Sequence, residues 1–165
     1  MRAAITGHMV LSTLHTNDVV STPIRLLDMG VPRYMVALSL QLVVAQRLVR
    51  VVCENCAEPY TPAPHEHEWL RFELGDAVDR QRYVHGRGCV HCGGTGYQGR
   101  TGVYEMLEMT TELVEAINSD DTGRFVQAAR RQMAGETLRR DAVRQVVRGR
   151  TTIEEAMRIS NQFED

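Results

Sequence analysis

Four cysteines in two equally spaced pairs constrain this chain more than any other feature. They fall as Cys53-x-x-Cys56 and Cys89-x-x-Cys92. Two thiolates from each of two turns make a tetrahedral donor set. Zinc accepts such all-sulfur sites because its filled d shell imposes no geometry of its own. Gly88, Gly93 and Gly94 flank the second pair and allow the tight turns a knuckle needs. A disulfide framework would suit a secreted chain, and no charged segment leads into a short apolar run as in a signal peptide. A thioredoxin-like redox site needs one such pair in a strand–helix–strand context, not two matched pairs. The expectation is a zinc ion held by Cys53, Cys56, Cys89 and Cys92. It is structural, because four protein thiolates leave no position for a substrate water. The 32 residues between the pairs exceed the usual zinc-ribbon spacing, so they must fold as a small lobe. His65, His67, His85 and His91 are read as solvated loop histidines, since no cysteine is left over for one of them to replace.

Composition removes several function classes. The 165 residues suffice for one ordinary domain or two small ones, and a formal charge of -2 gives no bulk field for nucleic acid or an anionic membrane. No apolar run is long enough to span a bilayer, and the chain is read as cytoplasmic. Eight arginines lie between Arg124 and Arg150. No series of aromatics separates them for base stacking, so they read as a solvated helix face. All 19 basic residues are arginine and there is no lysine, so a mechanism that needs lysine cannot be completed by this chain. That bears on Gly94 to Thr101, "GTGYQGRT", which copies the spacing of a phosphate-binding P-loop with arginine in the lysine position. A P-loop works between a buried strand and a helix N-terminus. This stretch follows a knuckle and precedes a strand-like segment, so it reads as a glycine-rich exit from the lobe.

Periodicity outlines an α/β chain. His8 to His15 reads as a buried strand through Met9, Val10, Leu11 and Leu14. Ser21 or Thr22 caps a helix that holds Pro23 in its first turn and closes at Gly30. Pro32 starts a second helix, apolar all round from Tyr34 to Val43 and therefore expected to be well buried. "RLVRVVC" and "TGVYEMLEM" read as strands, the latter with either Val103 and its alternates or Tyr104 and Met106 facing a core. Trp69 to Leu74 reads as a short helix. From Thr110 the apolar stripes are helical, and Thr151 with Glu154 forms a capping box for the last helix.

His8 and His15 stand at the two ends of the first expected strand. Seven residues apart on a straight strand, they lie roughly 23 Å apart, at about 3.3 Å per residue, and on opposite faces, so they cannot share a metal. His15, with Thr13, Thr16 and Asn17, stands at the carboxyl end, where open parallel sheets bind ligands. The pattern alone leaves equally open a polar strand end that merely makes its own turn.

The stretches "TGHMVLSTLHTND", "RLLDMGVP", "AQRLVRVVCENC", "GCVHCGGTGYQGRTGVYE" and "LRRDAVRQVVRGRTTIEEAMRIS" together resemble the ATPases of type II secretion and type IV pilus assembly, the general secretion pathway protein E family. The resemblance runs over nearly the whole chain in the same order. The tetracysteine lobe is similar to that of the secretion and pilus-extension enzymes, and pilus-retraction ATPases lack it. The resemblance implies the C-terminal part of a RecA-like P-loop ATPase core, with an inserted tetracysteine zinc lobe and a C-terminal helical subdomain. The implied division is residues 1–52 for the partial core, 53–100 for the lobe, and 101–165 for a returning strand and helices. Thr6 to Asn17 match the family's His box, so that His8, Thr13 and His15 would lie near nucleotide, with His15 sensing the γ-phosphate. Arg25 and Arg100 match family arginines at the nucleotide or the subunit boundary. They suit that task because guanidinium stays charged and binds phosphate in a fork.

The further implications concern the whole machine. They are a homo-hexamer, ATP and Mg2+ as the parent's cofactors, inner-membrane platform proteins as partners, and a place peripheral to the inner membrane without insertion. The Walker A loop, the Asp box and the Walker B motif precede the His box in the family and are absent here. The chain is therefore expected to be the C-terminal part of a longer protein, inactive alone and prone to associate. The alternative is a stand-alone zinc module that mediates protein interaction.

Overall fold

The computed structural model describes residues 1–160. It is mixed α/β, in two compact units: residues 1–45 with 105–137, and residues 46–104 with those from Leu138 onward. No helix among the described residues is long and apolar enough to cross a membrane.

Alternation decides where helix gives way to strand after Leu40. Helix α1 spans Arg2–Ile5, α2 spans Ser21–Asp28 and α3 spans Arg33–Ser39, and β1 then runs over Leu42–Val52. The single apolar helix expected through Val43 is thus a short helix followed by a strand. Leu42 and Val44 are exposed while Val43, Ala45 and Val49 are buried, a period of two that fits a strand and not a helix. The helical remnant is not well buried either: Val36 and Ala37 point inward, but Tyr34 and Leu38 are 55% and 62% exposed. The pattern looked apolar all round because its second half belonged to a pleated surface.

The expected strand from His8 to His15 does not form. Residues 8–16 carry no regular secondary structure, and Met9 and Leu11 are 91% and 88% exposed. A strand exists only as part of a ladder. Both sheets among the described residues, β1–β4 and β2–β3, are two-stranded and leave this segment out. Strand β4 spans Tyr97–Glu108. The Cys53 N–H donates to the Gly96 carbonyl at 2.9 Å, and the Met109 N–H to the Gln41 carbonyl at 2.8 Å, the end pattern of an antiparallel pair with β1. Val103, Glu105 and Leu107 face inward while Tyr104 and Met106 are exposed, which decides the register the sequence left open.

In the first unit, α5 (Thr111–Asn118) and α6 (Thr122–Met133) supply Leu113, Ile117, Phe125 and Ala129 to the core. Asp121 caps α6 by accepting the Arg124 N–H at 3.2 Å. Helix α2 begins differently from the expectation, because the acceptor is the Asp18 carboxylate, which takes the Ser21 N–H at 2.6 Å.

The second unit holds the lobe. Strands β2 (Ala57–Tyr60) and β3 (Tyr83–Gly86) pair antiparallel, Ala57 opposite Gly86 and Tyr60 opposite Tyr83. Between them lie α4 (Pro64–Leu74) and a 3-10 turn, Gly75–Arg80. Helix α4 starts five residues earlier than the helix expected from Trp69, because Pro64 fits a first turn and Glu66 accepts the Ala63 N–H at 2.8 Å. The lobe histidines are therefore not all in loops: His65 and His67 are helical, and His85 lies on β3, 2.9 Å from Glu58.

Helices α7 (Leu138–Val147) and α8 (Ile153–Ser160) complete this unit. The cap of α8 is Thr152, whose hydroxyl accepts the Glu155 N–H at 3.2 Å, one residue on from the expected box. Thr151 instead donates to the Arg50 carbonyl at 2.7 Å, and the Val52 N–H reaches the Arg150 carbonyl at 2.9 Å. The fully buried Glu155 carboxylate accepts from the Arg50 main chain and side chain, both at 2.8 Å, and from Arg158 at 3.0 Å. Burial alone would raise its pKa, but the bonds from Arg158 and Arg50 outweigh that and hold it at about 2. The Arg50 guanidinium also stacks on the Tyr97 ring, 4.0 Å from its centroid.

Candidate functional site

The four cysteines converge. Cys53 directly follows β1, Cys56 closes the turn that leads into β2, and Cys89 precedes a 3-10 turn over Val90–Cys92 that Cys92 ends. Their sulfurs all lie within 4.8 Å of one another. Sulfurs bound at about 2.3 Å to one tetrahedral ion stand about 3.8 Å apart. The separations are 3.9 Å for Cys53–Cys89, 3.9 Å for Cys56–Cys92 and 3.8 Å for Cys89–Cys92, so the donor set fits zinc. Cys53 and Cys56 are buried.

Backbone amides tune these thiols. The Cys89 and Gly96 N–H groups each donate to Cys92 Sγ at 3.2 Å, and that thiol is lowered to about 6, the Cys89 amide contributing most. Burial instead pushes the Cys56 thiol up to about 12. A bound divalent cation would hold all four as thiolates. Glycine is required where two main chains touch beside the centre. A Cβ on Gly86 would strike the Gly96 backbone, and one on Gly96 would strike Gly86. Gly96 also holds a φ of 77°, in the left-handed region.

The second candidate site lies in the first unit. His15 and Arg25 line one shallow cavity of about 270 Å³, together with Thr16, Asn17, Ser21, Ile24 and Asp28. Ser21, Ile24, Arg25 and Asp28 follow the i, i+3, i+4, i+7 stripe of α2, so one helix face fronts it. His15 arrives on the irregular segment, which is pinned where it meets the helix. The Thr16 hydroxyl lies 2.7 Å from that of Thr22, and the Thr22 hydroxyl donates to the Asp18 carbonyl at 3.0 Å.

His8 and Thr13 are exposed on the irregular segment and do not line this cavity; the His8 ring nitrogen lies 3.1 Å from the Thr6 hydroxyl. Arg100 is exposed on β4 in the second unit. Thr16 and Asn17, grouped with His15 in the sequence, line the cavity with it. Asp28 was not singled out from the sequence, though it was legible from its helical spacing to Arg25. A groove of about 660 Å³ on the lobe, bordered by Tyr60, His67 and Asp79, includes none of the candidate residues.

Comparison with known proteins decides what these features belong to. The family described as type II/IV secretion system protein matches residues 1–158. The chain belongs to that family. It is 38% identical over 156 residues to the type IV pilus assembly ATPase PilB of Thermus thermophilus, covering 94% of this chain and 17% of that protein. It is 36% identical over 162 residues to the type II secretion system protein E of Pseudomonas aeruginosa, covering 98% of this chain and 32% of that protein. It is 37% identical over 164 residues to the type II secretion system ATPase E of Vibrio cholerae, covering 98% and 31%. The chain thus spans about a third or less of the length of these relatives. The four-cysteine centre and the His15 cavity are the places where the described residues bring candidate site residues together.

Proposed function

We propose that this chain is the nucleotide-sensing and metal-bearing C-terminal part of a hexameric ATPase that drives pilin or pseudopilin assembly. In this reading residues 1–52 belong to a partial RecA-like core, residues 53–100 to a zinc lobe, and residues 101–165 to a returning strand and C-terminal helices. ATP and Mg2+ bind in the whole protein, which works in the cytoplasm against inner-membrane platform proteins.

One observation carries the reading: His15 and Arg25, each matched to a family residue by the resemblance and ten positions apart in sequence, border the same shallow cavity. A guanidinium offers a fork of donors to phosphate oxygens, and an imidazole beside it adds a directional donor or acceptor. The pair suits recognition of a terminal phosphate. Hydrolysis needs more, since a chain without lysine cannot supply the P-loop cation. Zinc on Cys53, Cys56, Cys89 and Cys92 would cross-link the two ends of the lobe and carry no chemistry, as no coordination position is open.

The test is magnesium-dependent ATP turnover. The chain alone is expected to show none. Exchanged for the matching segment of the Pseudomonas aeruginosa relative, it is expected to support turnover. His15→Ala or Arg25→Ala in that chimera should then lower kcat by about a hundredfold, the scale of losing one positioned phosphate-facing donor. Turnover by the chain alone, or full activity in both variants, overturns the reading.

A further inference from the structure

The inward face of β4 carries Val103, Glu105 and Leu107. Glu105 is the charged member of that row and is only 6% exposed. A carboxylate in such a row costs free energy unless the fold uses it. Its Oε1 accepts the main-chain N–H of Val19 at 3.1 Å, across 86 residues of sequence. Val19 is fully buried and stands four positions after His15, where the irregular segment enters the turn before α2.

The two sides of this turn do different work. On the helix side, Asp18 accepts the Ser21 N–H, and Thr16 meets Thr22, so local bonds set the turn's shape. None of those bonds fixes the turn to the rest of the unit. The Glu105 bond does, because β4 belongs to the sheet and the turn does not. Glu105 also borders an open cavity of about 440 Å³ with Asp18, Ser21, Ile24 and Arg130.

We infer that Glu105 is a positioning residue for His15: its buried carboxylate anchors the turn at Val19 and thereby sets where His15 stands beside Arg25. The inference goes past the proposed nucleotide role by naming what aims the histidine, and its functional meaning rests on that role. Its test uses no nucleotide, so the two fail separately.

The experiment is amide hydrogen exchange and the His15 ring spectrum by NMR on the full chain, in wild type, Glu105→Gln and Glu105→Met. Glutamine keeps an acceptor oxygen, and methionine keeps the volume without one. In Glu105→Met, Val19 exchange should rise about tenfold, the loss of one buried hydrogen bond, and the His15 resonances should shift or broaden. Glu105→Gln should restore most of both, with amides of α5 and α6 unchanged in either variant. Val19 protection that is equal in wild type and Glu105→Met overturns the inference. So does a glutamine variant that behaves like methionine. If Glu105→Met fails to fold, wild-type-like Val19 exchange and His15 resonances in Glu105→Gln still support it, and their loss there overturns it. A chimera that keeps full ATP turnover in His15→Ala would remove the nucleotide reading and leave this anchoring intact.

Discussion

The lobe around the cysteines and the segment from His8 to Asn17 are equally specific as sequence, yet they fold in opposite ways. The cysteine pairs meet because the chain between them closes on itself: β2 pairs with β3, and the two knuckles are brought to within sulfur–sulfur contact. Every partner the motif needs lies within about forty residues. The His8–Asn17 segment has the apolar run of a strand but no ladder among the described residues, and its Met9 and Leu11 side chains stay exposed. A ligand set specifies its own geometry, whereas a strand motif specifies only half of a pairing.

The largest effect should come from taking the metal away. Protein purified without added metal should carry about one zinc per chain by elemental analysis. Cys53→Ser, or chelation, should strip it and abolish the ordered lobe, read as lost amide protection over residues 57–92. Structural zinc contributes on the order of 10 kcal/mol in small domains, more than this lobe can replace by packing. A metal-free chain with the lobe intact would collapse the contrast between the two regions.

A smaller effect should come from Glu155. Glu155→Ala in metal-loaded protein leaves Arg50 and Arg158 without their carboxylate. Breaking a buried pair costs about 3–5 kcal/mol, and half-exposed guanidinium groups bring that toward about 2–3 kcal/mol by urea denaturation. The pH dependence has a fixed sign. A carboxyl held at about 2 against an ordinary 4.5 stabilises the fold fully above 4.5, and that contribution is lost as pH falls toward 2. The difference in urea midpoint between wild type and Glu155→Gln should therefore shrink over that window. A constant gap would mean the carboxylate charge is not what holds α8.

The smallest effect sharpens the comparison from the other side. Leu11→Ser should change stability by less than about 0.5 kcal/mol, as expected for a side chain with nothing around it. Light scattering on the same variant should show less self-association, since it removes exposed apolar surface. A loss of several kcal/mol would show that the segment is packed after all.

Local rules carried much of the fold and only part of the site. The cysteine centre, the strand entering it and the stripes of α5 to α7 were legible because each depends on neighbours in sequence. The boundary between α3 and β1 was not, since Leu40, Leu42, Val43 and Val44 fit an apolar face in either period and only the buried alternation of Val43 and Ala45 decides. Glu155 was passed over because an acidic residue in the first turn of a helix reads as solvated, and only the return of α8 onto β1 buries it. The His15 cavity was half legible. The helical spacing of Arg25 and Asp28 is local, but the link from Glu105 to Val19 reaches across 86 residues of sequence and leaves no periodic trace.

The bonds that fasten α8 to β1 also decide how the sheet can grow. Near its end, β1 has one side paired to β4. On its other side the Arg50 N–H goes to Glu155, the Arg50 carbonyl to Thr151 and the Val52 N–H to Arg150. Three main-chain groups that would otherwise template an incoming strand are already occupied, by a loop and a carboxylate rather than by another strand. This stretch is a closed sheet edge, sealed against pairing with a foreign chain by the same carboxylate that neutralises two arginines.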